Sequence, residues 1–165
     1  MKKIILLLAF TYSFSVCSQT IVDTAVSNKD FSTLVTALKA ADLVGALSSE
    51  GPFTVFAPNN SAFAKIDSET LGSLLKPENV KALTNILTYH VVSGKLMASD
   101  VVSALKSGNG TVELTALNSQ TITAVSKDGK IYLKDTQGNM SQIIATDVAG
   151  SNGVIHVIDS VVMPE

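Results

Sequence analysis

Apolar residues recur at helical spacing in the first half of the chain and alternate in the second. Phe31, Leu34, Val35 and Leu38 fall at i, i+3, i+4 and i+7, one face of a helix for which Asp30 is placed as N-cap. Ile21, Val22, Ala25 and Val26 predict a shorter helix before it, and Leu43, Val44 and Leu47 another after it. Gly51-Pro52 interrupts this pattern, and Phe53-Thr54-Val55-Phe56 reads as a short buried strand. Asn59 then stands where it can cap a helix start, with Pro58 and Phe63 at the two positions of a hydrophobic staple. Pro77 occupies the first turn of a further helix whose stripe is Val80, Leu83, Ile86 and Leu87.

Beyond residue 110 the character is that of strands and turns. Val112 and Leu114, Ile122 and Val125, then Ile131 and Leu133 mark three strands. Between the last two, Lys127-Asp128-Gly129-Lys130 predicts a two-residue hairpin, because Asp-Gly tolerates the positive φ angles of a type I′ turn. Residues 141–148 and 153–162 predict two more strands. Helices first and strands later indicate an α+β domain rather than alternating units around a parallel sheet. No repeat or linker divides it, so residues 19–165 are expected to form a single domain.

The first 18 residues do not belong to that domain. Lys2 and Lys3 precede an apolar stretch from Ile4 to Phe10, and Ser13, Ser15 and Ser18 follow, the sequence of features in a secretory signal peptide. Cleavage is expected near Ser18–Gln19, delivering the protein outside the cytoplasm, to a periplasm or the cell exterior. A lipoprotein would instead be acylated at Cys17, but Val16 stands where such signals place a small residue, which disfavours a lipid anchor.

Removing that leader changes the chemistry available. Cys17 is the single cysteine, so the remainder can form neither a disulfide nor a thiolate metal site. Loss of Lys2 and Lys3 from 12 basic residues leaves ten lysines against 14 acids, a net charge of −4. The chain has no arginine, the residue suited to bidentate phosphate recognition, and an acidic domain is repelled by polyanionic duplexes. Nucleic acid is therefore not an expected partner. No apolar run after the leader reaches membrane-spanning length.

A search for catalytic chemistry returns little. His90 and His156 sit within apolar runs, Tyr89-His90-Val91-Val92 and Val154-Ile155-His156-Val157-Ile158, and suit hydrogen-bonded core positions better than metal ligands. There is no Gly-x-Ser-x-Gly elbow, and the two Ser-x-x-Lys matches, Ser73 with Lys76 and Ser103 with Lys106, lack their companion motifs. Asp128, Asp135 and Asp147 fall in turn-like stretches without the spacing of a calcium loop. No glycine-rich phosphate cradle is present. No metal or cofactor is expected.

Three segments together resemble the fasciclin domain family: GPFTVFAPNNSAF at 51–63, ILTYHVVSGKL at 86–96, and NGVIHVIDSVVMP at 152–164. Their order and spacing agree with the family, and the likeness runs from about Thr20 to the end. It implies an α/β wedge, a sandwich of short strands with several helices on one side, and a non-enzymatic role in adhesion or ligand binding outside the cell. Two motifs discussed as adhesive in animal members carry over by position. Tyr89 and His90 match the Tyr-His pair, and Asp147-Val148 matches an Asp-Ile pair with Val in place of Ile.

The expected function is thus a secreted adhesion module attaching to a surface polysaccharide or protein. A single domain attaches weakly unless it self-associates, so a weak homodimer is a further expectation. The alternative is an esterase-type hydrolase on matrix polysaccharide esters with a histidine as general base.

Overall fold

The computed structural model describes residues 19–165; the predicted signal peptide lies outside the described residues. Thr20 opens the first helix, α1 (Ile21–Ser27), with a reciprocal cap: its hydroxyl accepts the Asp23 amide, and the Asp23 carboxylate accepts the Thr20 amide at 2.9 Å. Asn28 then leaves the helix in an extended conformation and caps a 3-10 turn over Lys29–Phe31 by accepting the Asp30 amide at 3.0 Å. Helix α2 (Ser32–Ala40) continues from that turn. Asp30 is accordingly inside the turn and is not the cap that its position before Phe31 predicts; Asn28, two residues earlier, has the extended backbone that a cap needs.

The short α3 (Val44–Leu47) leads to strand β1 (Phe53–Pro58). Asn59 caps α4 (Asn60–Phe63) as expected, accepting the Ala62 amide at 2.8 Å. Helix α5 (Ser68–Leu74), which lacks a strong periodic stripe, follows, and after a 3-10 turn opened by Pro77 comes α6 (Val80–Tyr89) with its predicted apolar face inward. The three-residue strand β2 (Val91–Ser93) and helix α7 (Ala98–Ser107) complete the first half. The pattern of apolar residues alone does not announce α5, β2 or α7.

The strand-rich half contains β3 (Thr111–Thr115), β4 (Thr121–Lys127), β5 (Lys130–Lys134), β6 (Met140–Gly150) and β7 (Gly153–Ile158). Asp128 and Gly129 both have positive φ, 53° and 74°, as the Asp-Gly turn between β4 and β5 requires. The last strand stops at Ile158, four residues short of the predicted end.

The seven strands of the described residues form one sheet in the order β2-β1-β7-β6-β5-β4-β3. Every neighbouring pair is antiparallel except β1 and β7, which run parallel from Phe53↔Gly153 to Pro58↔Ile158. Both of these strands are buried on both faces, which explains their continuous apolar runs. The sheet curls until its two edges touch through a single bridge, Val92↔Ala116.

This curl divides the interior in two. On the convex side, α1, α2, α3 and α6 bury Ile21, Leu34, Leu38, Leu47 and Leu87 against Val55, Ala57 and Ile155. Inside the curl, α7 inserts Val101 and Leu105 against Phe56, Ile122, Leu133 and Ile158. The result is the predicted α+β wedge. Alternation along β3 to β5 points Leu114, Ala124 and Leu133 inward and leaves Glu113, Lys130 and Lys134 exposed on the opposite face.

Candidate functional site

Tyr89 and His90 stand at the junction between α6 and β2, and both side chains turn inward. Tyr89 is 0 % exposed, and its hydroxyl donates to the carbonyl of Thr121 at 2.9 Å. Burial pushes the phenol pKa up, and the nearby Asp135 carboxylate pushes in the same direction. His90 is 2 % exposed. Its Nδ1 lies 2.8 Å from the Ile86 carbonyl, a contact only an N–H can make, so Nε2 is the acceptor for the Val162 amide at 3.2 Å. Burial lowers the imidazole pKa to about 4, so the ring is neutral at pH 7. His90 thereby fastens the C-terminal tail to α6, while its own carbonyl accepts the Phe56 amide of β1 at 2.8 Å.

Asp147 and Val148 lie on a different part of the surface. Strand β6 changes register between Ile143 and Ala145 and again between Ala145 and Val148, and Asp147 sits in the second irregularity with φ of 59°. Aspartate tolerates this left-handed conformation better than most residues. Its Oδ1 accepts the Ala98 amide at 2.8 Å, satisfying the first free N–H of α7 from 49 residues away. Asp147 thus caps a helix distant in sequence. Val148 pairs with Ile155 across the sheet and is half-buried against the convex core.

His156 connects the second pair to the framework. Its Nε2 donates to the Leu96 carbonyl at 2.7 Å, Nδ1 accepts the Asp147 amide at 3.4 Å, and its ring stacks on Phe56 at 5.7 Å. Both nitrogens of both histidines are therefore engaged with backbone groups. Among the described residues no hydrogen bond joins Tyr89 or His90 to Asp147 or Val148, and no cluster of three or more His, Cys, Asp or Glu could hold a metal ion. Nor is any described helix long and apolar enough to cross a membrane.

Two further residues have roles that spacing alone does not disclose. Asn60 Oδ1 accepts the Thr33 amide at 3.1 Å in the first turn of α2, and its Nδ2 donates to the Lys29 carbonyl at 2.9 Å. Asn152, in the turn between β6 and β7, accepts the Ile21 amide of α1 and donates to the carbonyls of Leu47 and Ser49. With Asp147, three helices are capped by side chains distant in sequence.

Residues 29–164 match the sequence profile of the Fasciclin domain. The chain belongs to the fasciclin domain family. It is 51% identical over 147 residues to protein sll1483 of Synechocystis sp., covering 89% of this chain and 74% of that protein. It is 35% identical over 145 residues to immunogenic protein MPB70 of Mycobacterium bovis, covering 85% of this chain and 66% of that one. Over 145 residues it is 33% identical to human periostin, of which it spans 15%. A FAS1 domain pair from the insect cell adhesion molecule Fasciclin I superposes with a TM-score of 0.75 over 86% of this chain and 50% of that one, at 20% identity, a likeness of fold. In this fasciclin domain the three resembling segments meet: the first and third supply the parallel β1–β7 pair and the capping residues Asn60 and Asn152, and the second supplies the buried Tyr89 and His90.

Proposed function

We propose that this fasciclin domain is an exported, non-enzymatic binding module that attaches to a cell-surface or matrix component. The observation that carries the reading is family membership over nearly the whole domain, in a family whose fold is shared by an insect cell adhesion molecule. The engagement of His90 and His156 supports it, since neither imidazole has a free nitrogen with which to serve as a general base. The hydrolase alternative has no comparable support.

Export follows from the leader over residues 1–18, whose removal the intact mass of the purified protein would reveal. Of the four motif residues, exposed Asp147 is the one placed to meet a partner, while Tyr89 and His90 act as framework. Attachment by one domain gains strength through weak self-association. The test is saturable binding of the labelled protein to the producing cells and their isolated matrix, before and after treatment with protease or glycan-degrading enzymes. No binding above that of an unrelated acidic protein would refute the reading.

A further inference from the structure

The outward face of β4 and β5 carries three lysines that form no salt bridge, with Glu113 of β3 on the same face beyond Thr123. Alternation sends Lys127, Lys130 and Lys134 outward with Tyr132 between the last two. Lys127 and Lys130 are directly opposite one another, a like-charge pair that weakens a sheet. Lys134 lies about 13 Å further along the same strand as Lys130. The salt bridges among the described residues are Lys65–Asp159 and Lys76–Glu78, neither of which includes these three. Lys130 Nζ donates instead to neutral Gln142 at 3.4 Å. In a chain of net charge −2, solubility does not call for such a patch, and folding is hindered by it.

A cleft of about 740 Å³ lies on this face, lined by Lys127 and Lys134 with Thr111, Thr123 and Asp135, whose buried carboxylate is taken up by Asn139 and the Met163 amide. We infer that it binds an anionic polysaccharide, an inference that rests on the binding-module reading and names its partner class. Separated lysines offer point charges to the carboxylates or sulfates of a repeating chain, and threonine hydroxyls both donate to and accept from sugar hydroxyls. A partly exposed Tyr132 adds an aromatic surface. A membrane is a poorer match, because the hairpin tip is Asp128-Gly129 and presents nothing apolar to insert. Duplex nucleic acid is poorer still, since the face offers neither arginine nor an element shaped to enter a groove.

The experiment uses the protein purified from its producing cells and measures binding to polygalacturonate, dextran sulfate, uncharged dextran, phosphatidylglycerol vesicles and a single-stranded oligonucleotide. Binding to one or both anionic polysaccharides is expected, weakening as salt rises, with none to dextran. The tighter of the two distinguishes a carboxylated from a sulfated partner. The double variant Lys127→Gln/Lys134→Gln is expected to bind about tenfold more weakly. Lys39→Gln/Lys81→Gln, which removes the same charge from exposed helix positions, should retain affinity. Thermal melts of both variants confirm that they remain folded. Absence of polysaccharide binding at low salt, equal loss in the two double variants, or equally tight binding to vesicles or oligonucleotide would each overturn the inference. Should the protein still bind its own cells in such a case, only the partner class is wrong; should it bind neither, the binding-module reading fails as well.

Discussion

Asn152 Oδ1 accepts the backbone amide of Ile21 at 3.0 Å across 131 residues of sequence. The same side chain donates to the carbonyls of Leu47 and Ser49, so one amide group fixes the start of α1 and the end of α3 against the β6–β7 turn. Asn60 does the same for α2, and Asp147 for α7. The helices of this domain are held in register with the sheet by polar groups as well as by apolar packing.

Replacing Asn152 by Ala leaves one amide and two carbonyls without their partner. Urea denaturation should show a loss of about 2–3 kcal/mol, summed over bonds of about 1 kcal/mol each. Asn152→Asp retains the acceptor for Ile21 but sets a carboxylate oxygen against the Leu47 and Ser49 carbonyls, so it should be no more stable than the Ala variant. An Ala variant as stable as the parent would show that water replaces these contacts at no cost.

Asp147 combines a cap with a left-handed backbone. Asp147→Asn keeps both an acceptor and the tolerance for positive φ, so its stability should stay within about 0.5 kcal/mol of the parent. Asp147→Ala loses both and should cost about 2 kcal/mol. Reduced cell binding by the Asn variant would assign the carboxylate a direct contact. Reduced binding by the Ala variant alone would trace to the displaced start of α7.

His90 gives stability a definite pH dependence. Its folded pKa of about 4 lies below the ordinary value near 6.5. Between those values the unfolded chain takes up a proton that the folded chain refuses, so stability is fully present above pH 6.5 and declines as pH falls toward 4. The decline amounts to something on the order of 3 kcal/mol. Urea midpoints at pH 7 and 4.5 should differ by less in His90→Gln than in the parent, while the variant is less stable at pH 7. Identical differences in both proteins would exclude His90 as the source.

Tyr89→Phe removes only the hydroxyl that Thr121 receives. A loss of about 1 kcal/mol in chemical denaturation is expected, with cell binding unchanged where the variant is fully folded. Lost binding by a fully folded variant would contradict the framework role.

Much of this architecture is legible from local pattern. The stripe from Phe31 to Leu38, the cap at Asn59 and the Asp128-Gly129 turn all depend on neighbours within a few residues, and the structure reproduces them. Helix α7 escapes notice because only Val101 and Leu105 are buried along it and because the partner of its first amide, Asp147, comes 49 residues later. The parallel pairing of β1 with β7 is equally hidden, since two doubly buried strands have no alternation to reveal their register. At the candidate site, the Tyr-His and Asp-Val motifs can be seen in the sequence. That the first points inward, and that Asp147 adopts positive φ within a bulge, depends on strands that pair only in three dimensions.

The position of β7 has a consequence for how the protein is made. It is the last strand to be synthesised, yet it stands between β1 and β6 in the sheet. Until Gly153–Ile158 emerge, the earlier strands are two ribbons with no central strand between β1 and β6, and Phe56 has no His156 on which to stack. A chain still lacking β7 has only the Val92↔Ala116 bridge to bring the two ribbons together. Order of synthesis and order in the sheet are thus opposed at β7: the strand that unites the two ribbons is the last of the seven to leave the ribosome.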